Sequence, residues 1–441
     1  MPQDYGTIQA ALDTATDGDV ILVGPGTYVE IFSFTGKAVT IQSVEGPDTT
    51  IIEGAVGFLD NEGPDSILIG FTIAPDATPA GVGISCIDSS PTIQGNIIQG
   101  HEISGGGGAG IHINGKSPFD PFGPRVFNNI IRDNHVQPGG GGGILVRETA
   151  AIIEGNMIAE NSASWDPSPT QQPNGGGVLF LLDQGSIFNN NLVIGNSQLN
   201  FGGGGGVAFS FSQTLIEFRN NTIVGNYSEG AGGGIFCDQC FNLLIENCIV
   251  YGNSDDLGWG PQIYDPLTVP GLALRFCDVE AGWPGTGNID ADPQFVVGPG
   301  GEYYLAPTSP CVDAGDPTLP IPTGFTSIDQ TPDTPPADMG YHHAYVAPPD
   351  FRRGDANADG SVDVGDAVFT LMALFVPGSG SVSCADSGDV NDDGVLNIGD
   401  PIYLLSALFV ALSPAPSAPY PDCGADPTPD GLPNCGSTLC P

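Results

Sequence analysis

Two stretches of the chain have the residue types and spacing to hold a metal: DANADGSVDVGD, residues 355–366, and DVNDDGVLNIGD, residues 389–400. Each places oxygen-bearing side chains at positions 1, 3, 5, 9 and 12 and a glycine at position 6. With that spacing a single turn of backbone wraps calcium in hard oxygen ligands. In the first loop the expected ligands are Asp355, Asn357, Asp359, Asp363 and Asp366 with the Ser361 carbonyl, and Gly360 makes the sharp turn. In the second they are Asp389, Asn391, Asp393, Asn397 and Asp400 with the Val395 carbonyl, and Gly394 turns. Two such loops in register predict two calcium ions; a pair of plain acidic turns is the competing explanation. Aspartate at position 12 is shorter than the usual glutamate, so each loop must close more tightly. Crowded carboxylates repel one another without metal, so calcium should contribute to folding here.

A second set of candidates is Asp133, Glu160 and Arg132, with His135 beside them. They matter only if the fold brings them together, and a repeat does so. Asn96, Asn129, Asn156, Asn191, Asn221 and Asn247 recur at intervals of 26 to 35 residues. A further asparagine follows five positions later at Asn134, Asn161, Asn196 and Asn226, is replaced by His101 in the first unit, and slips to Asn253 in the last. Between these markers, segments such as GILV and LIEFRNNTIV alternate apolar with polar residues, the two-residue period of a strand with one buried face. Short strands with recurring corner residues at this period imply a solenoid of stacked coils, in which equivalent positions form columns about 4.8 Å apart.

Asparagine suits a corner column because it tolerates the left-handed conformation and can bond its amide to the amide above. Glycine suits a column where backbones crowd. The run Gly139–Gly143, followed at once by ILVRE, therefore reads as one ordered corner, matched by GGGGAG, NGGGV, FGGGGGV and AGGGI elsewhere. A phosphate loop would need a helix after it, and a strand pattern follows instead. Valine at Gly142 should damage folding.

Asp133 and Glu160 each lie four residues after their repeat asparagine, so neighbouring coils should stack the two carboxylates roughly 5 Å apart. Such a pair suits a metal or a retaining glycosidase, while an exposed turn that carries two acids explains it equally well. The other bases of the repeat region, Lys37, Lys116, Arg125, Arg147, Arg219 and Arg275, are scattered, and no lyase motif surrounds them. Trp165, Trp259 and Trp283 stand in loops, where they could stack on sugars or pack over an end of the solenoid.

The opening YGTIQAALDTATDGDVILVGPGTYVE and the closing GTGNIDADPQFV, YYLAPTSPCVDAGDP and DMGYHH resemble the right-handed parallel β-helix, or pectin-lyase-like, repeat family over residues 4 to about 345. The resemblance implies an all-β solenoid with a short N-terminal capping helix. It says little about activity, because lyases, hydrolases and binding proteins share this fold. The two loops lead into apolar helices, AVFTLMALF and PIYLLSALF, and this duplicated unit resembles a type I dockerin, a small α-helical, EF-hand-like domain. Dockerins bind cohesins through polar residues at loop positions 10 and 11, here Val364, Gly365, Ile398 and Gly399, so an apolar or intramolecular partner is at least as well suited. The domains expected are 1–347, β-helix; 348–412, dockerin-like; and 413–441, a Pro/Cys-rich tail.

Nine Lys plus Arg against 51 Asp plus Glu give a net charge of −42, which repels nucleic acid and anionic membranes. An acidic polysaccharide would bind only through bridging metal. The ten cysteines point to disulfides and to secretion. Cys384, Cys423, Cys435 and Cys440 are expected to form two bridges, and Cys237, Cys240, Cys248 and Cys277 to be bridged or buried in preference to binding zinc. No membrane span is expected, and Met1 should replace or follow a signal peptide. Together these features favour a secreted calcium-binding solenoid acting as an extracellular binding or assembly protein, which can also associate end to end. The rival is a carbohydrate-active enzyme, a polysaccharide lyase or glycoside hydrolase, acting on an acidic polysaccharide.

Overall fold

The computed structural model describes residues 5–76, 81–115, 123–164, 174–212, 214–266, 271–344, 350–376, 382, 384–424, 426 and 432. The chain forms two compact units, residues 1–344 and 345–441.

Most strands of the first unit have two to four residues and cannot bury a face alone, so they gain a core only by stacking. One coil shows the plan: strands Ile144–Arg147, Ile152–Glu154, Met157–Ala159 and Ser162–Ser164 follow one another around the axis. Each pairs in parallel with its equivalent in the next coil, for instance Ile144 with Val178, Ile152 with Ile187, Met157 with Leu192 and Ser162 with Ser197. The interior is a set of apolar columns. Phe180 stacks on Phe209 at 5.1 Å between ring centres, and Phe188 on Phe218 at 5.0 Å. Each such buried ring stabilises by about 1.5–3 kcal/mol.

The corners are as ordered as the strands. Asn96, Asn129, Asn156, Asn191 and Asn221 form one buried ladder. From Asn129 on, each Oδ1 accepts the N–H and the Nδ2 of the asparagine one coil earlier; Asn156 Oδ1, for example, lies 2.9 Å from Asn129 N and 3.0 Å from its Nδ2, while Asn96 Oδ1 accepts Phe71 N–H. A second ladder runs from His101 through Asn134, Asn161, Asn196, Asn226 and Asn253 to Gln262. The first ladder continues at Cys248, not Asn247: Asn221 N–H points to Cys248 Sγ at 3.3 Å. Asn247 sits one residue earlier, at the left-handed corner shared with Asn128, Asn190 and Asn220. Nothing slips at Asn253, which follows Cys248 by the usual five positions.

The glycine run is one of these corners. Gly141 is left-handed at φ +67°, and a Cβ on Gly142 would come within 2.4 Å of the Ser162 carbonyl oxygen and 2.6 Å of that of Gly176. A valine there has no room. These corners also fold over outward-facing Leu145, Leu179 and Ala208, which form a small apolar cluster outside the coil.

Both ends of the solenoid are covered. The helix α1, Ile8–Thr14, is N-capped by Thr7, whose hydroxyl accepts from Ala10 N–H. Gln9 of α1 exchanges hydrogen bonds with the backbone of Ser33, and Lys37 Nζ donates to the carbonyls of Leu12 and Asp13 at its C-terminal end. At the far end a hairpin, Phe295–Gly298 with Gly301–Leu305, leads to a strap. There Gly340, Tyr341 and His342 bond in turn to Asn247, Thr222 and Asn190 on successive coils.

The second unit carries α2, Val364–Phe375; α3, Ala385–Gly388; and α4, Gly399–Phe409. Ala367, Val390 and Leu404 form its small core. Residues after 412 belong to the same unit: Phe351 pairs with Gly424, and fully buried Arg353 spends its guanidinium on the carbonyls of Ala418, Asp386 and Asp389 and on Asp392 and Asp426.

Candidate functional site

The two acidic loops have the same internal wiring. In the first, Asp355 accepts the N–H groups of Asp359 and Gly360 at 3.1 and 2.9 Å, Asn357 Nδ2 donates to Asp359, and Asp359 accepts from Ser361 N–H. In the second, Asp389 accepts from Asp393 and Gly394 at 3.2 and 2.8 Å, Asn391 Nδ2 donates to Asp393, and Asp393 accepts from Val395 N–H. The position-12 carboxylates also match: Asp366 accepts Asp363 N–H, and Asp400 accepts Asn397 N–H. Gly360 and Gly394 take φ of +86° and +78° at the sharp turn.

Each loop buries the carboxylates of positions 1 and 12; Asp359, Asp363 and Asp393 are exposed, and Asn357, Asn391 and Asn397 are half-buried. Burial pushes Asp355 and Asp366 above the usual carboxylate range. It pushes Asp400 up to about 6, with the neighbouring Asp389 charge adding to the effect. Asp400 Oδ1 is buried without a hydrogen-bond partner. A donor set made only of hard oxygens, with one left bare, fits calcium and would gain most from its charge.

On the solenoid, Asp133 and Glu160 occupy one left-handed corner column, at φ 56° and 55°, where other coils place Gly100, Gly195, Gly225 and Gly252. Their backbones stack in adjacent coils, with Asp133 N–H donating to Ala159 O, and both side chains are exposed. Arg132 is taken up by Gln99 of the preceding coil at 2.9 and 2.8 Å and reaches Asp133 at 3.8 Å. His135 Nδ1 lies 2.6 Å from Ser162 Oγ.

Two of the bases that look scattered in the sequence converge. Arg219 and Arg275, from coils on either side, both bind the buried carboxylate of Glu246, Arg219 Nε at 2.7 Å. Arg219 also meets Glu217, which accepts from Asn189 Nδ2, and Arg275 lies 3.8 Å from Asp316. The hydrogen bond from Thr318 and the two guanidinium charges hold Asp316 below its ordinary range. The sign that would have revealed this cluster is register: these residues stand two positions before their ladder residue, as Glu154 and Asn189 do. At the strap, His342 Nε2 lies 3.0 Å from the Asp333 carboxylate and its Nδ1 3.1 Å from the Gly340 carbonyl oxygen. Asp313, Asp333 and Asp338 converge there, with the Asp338 carboxylate accepting Asp313 N–H and the Asp333 carboxylate accepting Asp338 N–H.

Trp283 packs against the end of the main core, whereas Trp259 is 63% exposed; Trp165 lies outside the described residues. Cys237 and Cys240 are joined in a disulfide, which removes them as zinc ligands, and Cys248 and Cys277 are buried thiols in the first ladder. Cys384 and Cys423 are disulfide-bonded, while Cys435 and Cys440 lie outside the described residues. No helix among the described residues is long and apolar enough to cross a membrane.

Residues 80–265 match the family model of a right handed beta helix region, and the solenoid is a right-handed parallel β-helix. No curated protein matches the sequence. Among solved structures, the chain is similar to a PL6 alginate lyase in complex with a trisaccharide, at 14% identity, covering 62% of this chain and 75% of that one with a TM-score of 0.31. It is also similar to a variant of the PL6 family alginate lyase AlyGC, at 15% identity over 78% of this chain and 59% of that one, TM-score 0.29. ORF18 of Geobacillus virus E2 matches at 13% identity over 60% and 56% of the two chains, TM-score 0.25.

Proposed function

We propose that this protein is a secreted, calcium-binding β-solenoid that acts outside the cell as a non-catalytic binding and assembly protein, with its C-terminal module as the docking unit. The observation that carries the reading is the duplicated loop: two segments with the same internal hydrogen bonds around buried carboxylates, one of them bare. Asp355, Asn357, Asp359, Asp363, Asp366 and the Ser361 carbonyl would hold one ion; Asp389, Asn391, Asp393, Asn397, Asp400 and the Val395 carbonyl would hold the other. The dockerin-like role is supported by the outer faces of the helices. Val364, Val368, Met372 and Phe375 are exposed in α2 or at its ends, and Ile398, Ile402 and Phe409 in or beside α4. Two matching apolar faces suit an apolar partner surface, a cohesin-like protein or another part of the same assembly. Disulfides in both units support an oxidising compartment.

The lyase or hydrolase reading is favoured by one arrangement, the convergence of Arg219, Arg275 and Glu246. Lyase chemistry needs a free base, however, and here both guanidiniums are neutralised by carboxylates.

Calorimetric titration of the EDTA-treated full chain with calcium chloride tests the proposal. Two ions should bind, one should be lost in Asp366→Ala and the other in Asp400→Ala, and calcium should raise the melting temperature of the module. Absence of calcium binding would sink the metal reading. Release of new unsaturated or reducing ends from pectate or alginate would sink the non-catalytic one.

A further inference from the structure

The outward face of the solenoid carries one row that changes character along the axis: His112, Leu145, Leu179, Ala208, Phe236 and Tyr264 stand in register on successive coils. The glycine corners cover its middle as far as Phe236, as the Cβ geometry at Gly107, Gly140, Gly203 and Gly204 shows. Among the described residues, strand Ile263–Tyr264 ends this column and pairs only with the strand Ile235–Asp238 before it. At that end the row emerges as aromatic rings. Phe236 and Tyr264 are 5.4 Å apart and tilted by 38°, and Trp259 lies 6.1 Å from Tyr264, tilted by 31°.

Trp259 is held out in this position by design of the loop. Asp255 accepts the N–H groups of Gly258 and Gly260 at 2.6 and 3.1 Å, which fixes the residues on both sides of the indole. The ring nevertheless remains 63% exposed, and the Tyr264 hydroxyl has no hydrogen-bond partner among the described residues. An apolar ring on a rigid loop beside a bare hydroxyl matches a ligand with apolar faces and polar edges.

Charge then selects among such ligands. From Asn220 to Leu274 the sequence holds no Lys, Arg or His, while Asp238, Asp255, Asp256 and Asp265 surround the rings in sequence. Burial raises Asp238 above the ordinary carboxylate range. A carboxylated sugar would meet only repulsion, whereas neutral sugar hydroxyls can donate to these acceptors.

We infer that Trp259 and Tyr264, backed by Phe236, form a stacking platform for a neutral pyranose glycan, which rests on reading the solenoid as a binding protein and replaces the acidic polysaccharide as its ligand class. Pyranose C–H faces lie on the indole and phenol rings, and their hydroxyls bond outward to Tyr264 and the flanking carboxylates.

The test is calorimetric titration of the full chain, in EDTA and in calcium, with cellohexaose, mannohexaose and a mannuronate hexamer. At least one neutral hexamer should bind with a Kd of about 1 mM or tighter in both buffers. Trp259→Ala should weaken it about tenfold or more, and Trp259→Phe should recover part of the loss. Far-UV circular dichroism controls for folding. The inference is overturned if neither neutral hexamer binds, if the mannuronate binds better, or if Trp259→Ala binds as the parent does. It is also overturned if Trp259→Ala leaves glycan binding intact and dissolves a self-associated species in sedimentation, which would make the rings a contact between copies. Cleavage of a neutral hexamer would refute the non-catalytic function while leaving the platform standing.

Discussion

Replacing Asn191 by alanine tests the ladder on which every coil depends. Asn191 Oδ1 is the acceptor for Asn156 N–H and Nδ2, both at 3.0 Å, and its own Nδ2 donates to the carbonyls of Ile153 and Asn189 at 2.9 and 3.0 Å. Alanine removes these four bonds and a fifth, from Asn191 Nδ2 to Asn221 Oδ1. Asn156 Nδ2 keeps the carbonyls of Val126 and Glu154, and Asn221 Oδ1 keeps Asn191 N–H, so those groups remain satisfied. Asn156 N–H is left bare in the interior, whereas Ile153 C=O stays in the parallel ladder with the strand Ile187–Asn189. At about 1–3 kcal/mol for an unsatisfied buried group, the cost is about 1–3 kcal/mol. Solenoid coils can open locally, so the assay is native-state hydrogen exchange, read coil by coil. Protection should fall in the coils of Asn156, Asn191 and Asn221 and hold at α1. The control is Asn128→Gly, at an exposed corner where φ is 53° and glycine is tolerated, and it should change little. A loss below about 1 kcal/mol for Asn191→Ala, or one equal to the control, would refute the ladder as a source of stability.

Two further outcomes follow from the same geometry. Cys248→Asn should stabilise by about 0.5–1.5 kcal/mol in urea unfolding, because the thiol is a weak acceptor for Asn221 N–H at 3.3 Å and an amide would complete the ladder. Equal or lower stability would mean that the site is shaped for sulfur. His343, stacked on Tyr304 at 3.7 Å, is held down to about 4 by burial. Its neutral form is the folded one, so its contribution is complete above the unfolded pKa near 6.5 and drains as pH falls from there towards 4, by about 3 kcal/mol in all. Asp278, pushed up to about 6 by burial, acts in the opposite sense as pH falls from 6 towards 4. The comparison is therefore between the parent and His343→Phe: the difference in stability between pH 7 and pH 4.5 should shrink in the variant, and an unchanged pH dependence would count against the assignment.

The solenoid was legible in the sequence because its period is written in residues with few other uses at corners. The one misplaced marker has a physical cause. Two adjacent corner positions both favour asparagine: the left-handed one, for backbone reasons, and the ladder one, for its amide. Where Asn247 fills the first and Cys248 the second, residue type alone selects the wrong one. The interval to Asn253 identifies the right one. That single step also hid the Glu246 cluster, since with Asn247 as marker Glu246 no longer shares a row with Arg219 and Arg275. In the C-terminal unit the loops were legible because all their donors lie within twelve residues. The Arg353 hub was not, because its partners lie 33 to 73 residues away along the chain.

Register also separates the roles of the outward residues. In the row two positions before the ladder, Arg219, Glu246 and Arg275 stand on successive coils and are neutralised together with Glu217 and Asp316, which ties these coils together and leaves little charge for a ligand. In the row that ends at Tyr264, the middle is closed by glycine backbones and only the end is open. A solenoid adds coils at little topological cost, so a binding surface is most readily made where a row stops being covered. That places the aromatic rings at the last strand of their column. It also gives the acidic flanks a role: they exclude charged polymers from a surface that a sugar face could otherwise share with any flat apolar ligand. Exclusion of this kind weakens with salt. In about 1 M sodium chloride a mannuronate hexamer should therefore approach the affinity of a neutral hexamer if the discrimination is electrostatic, and should stay excluded if shape alone decides.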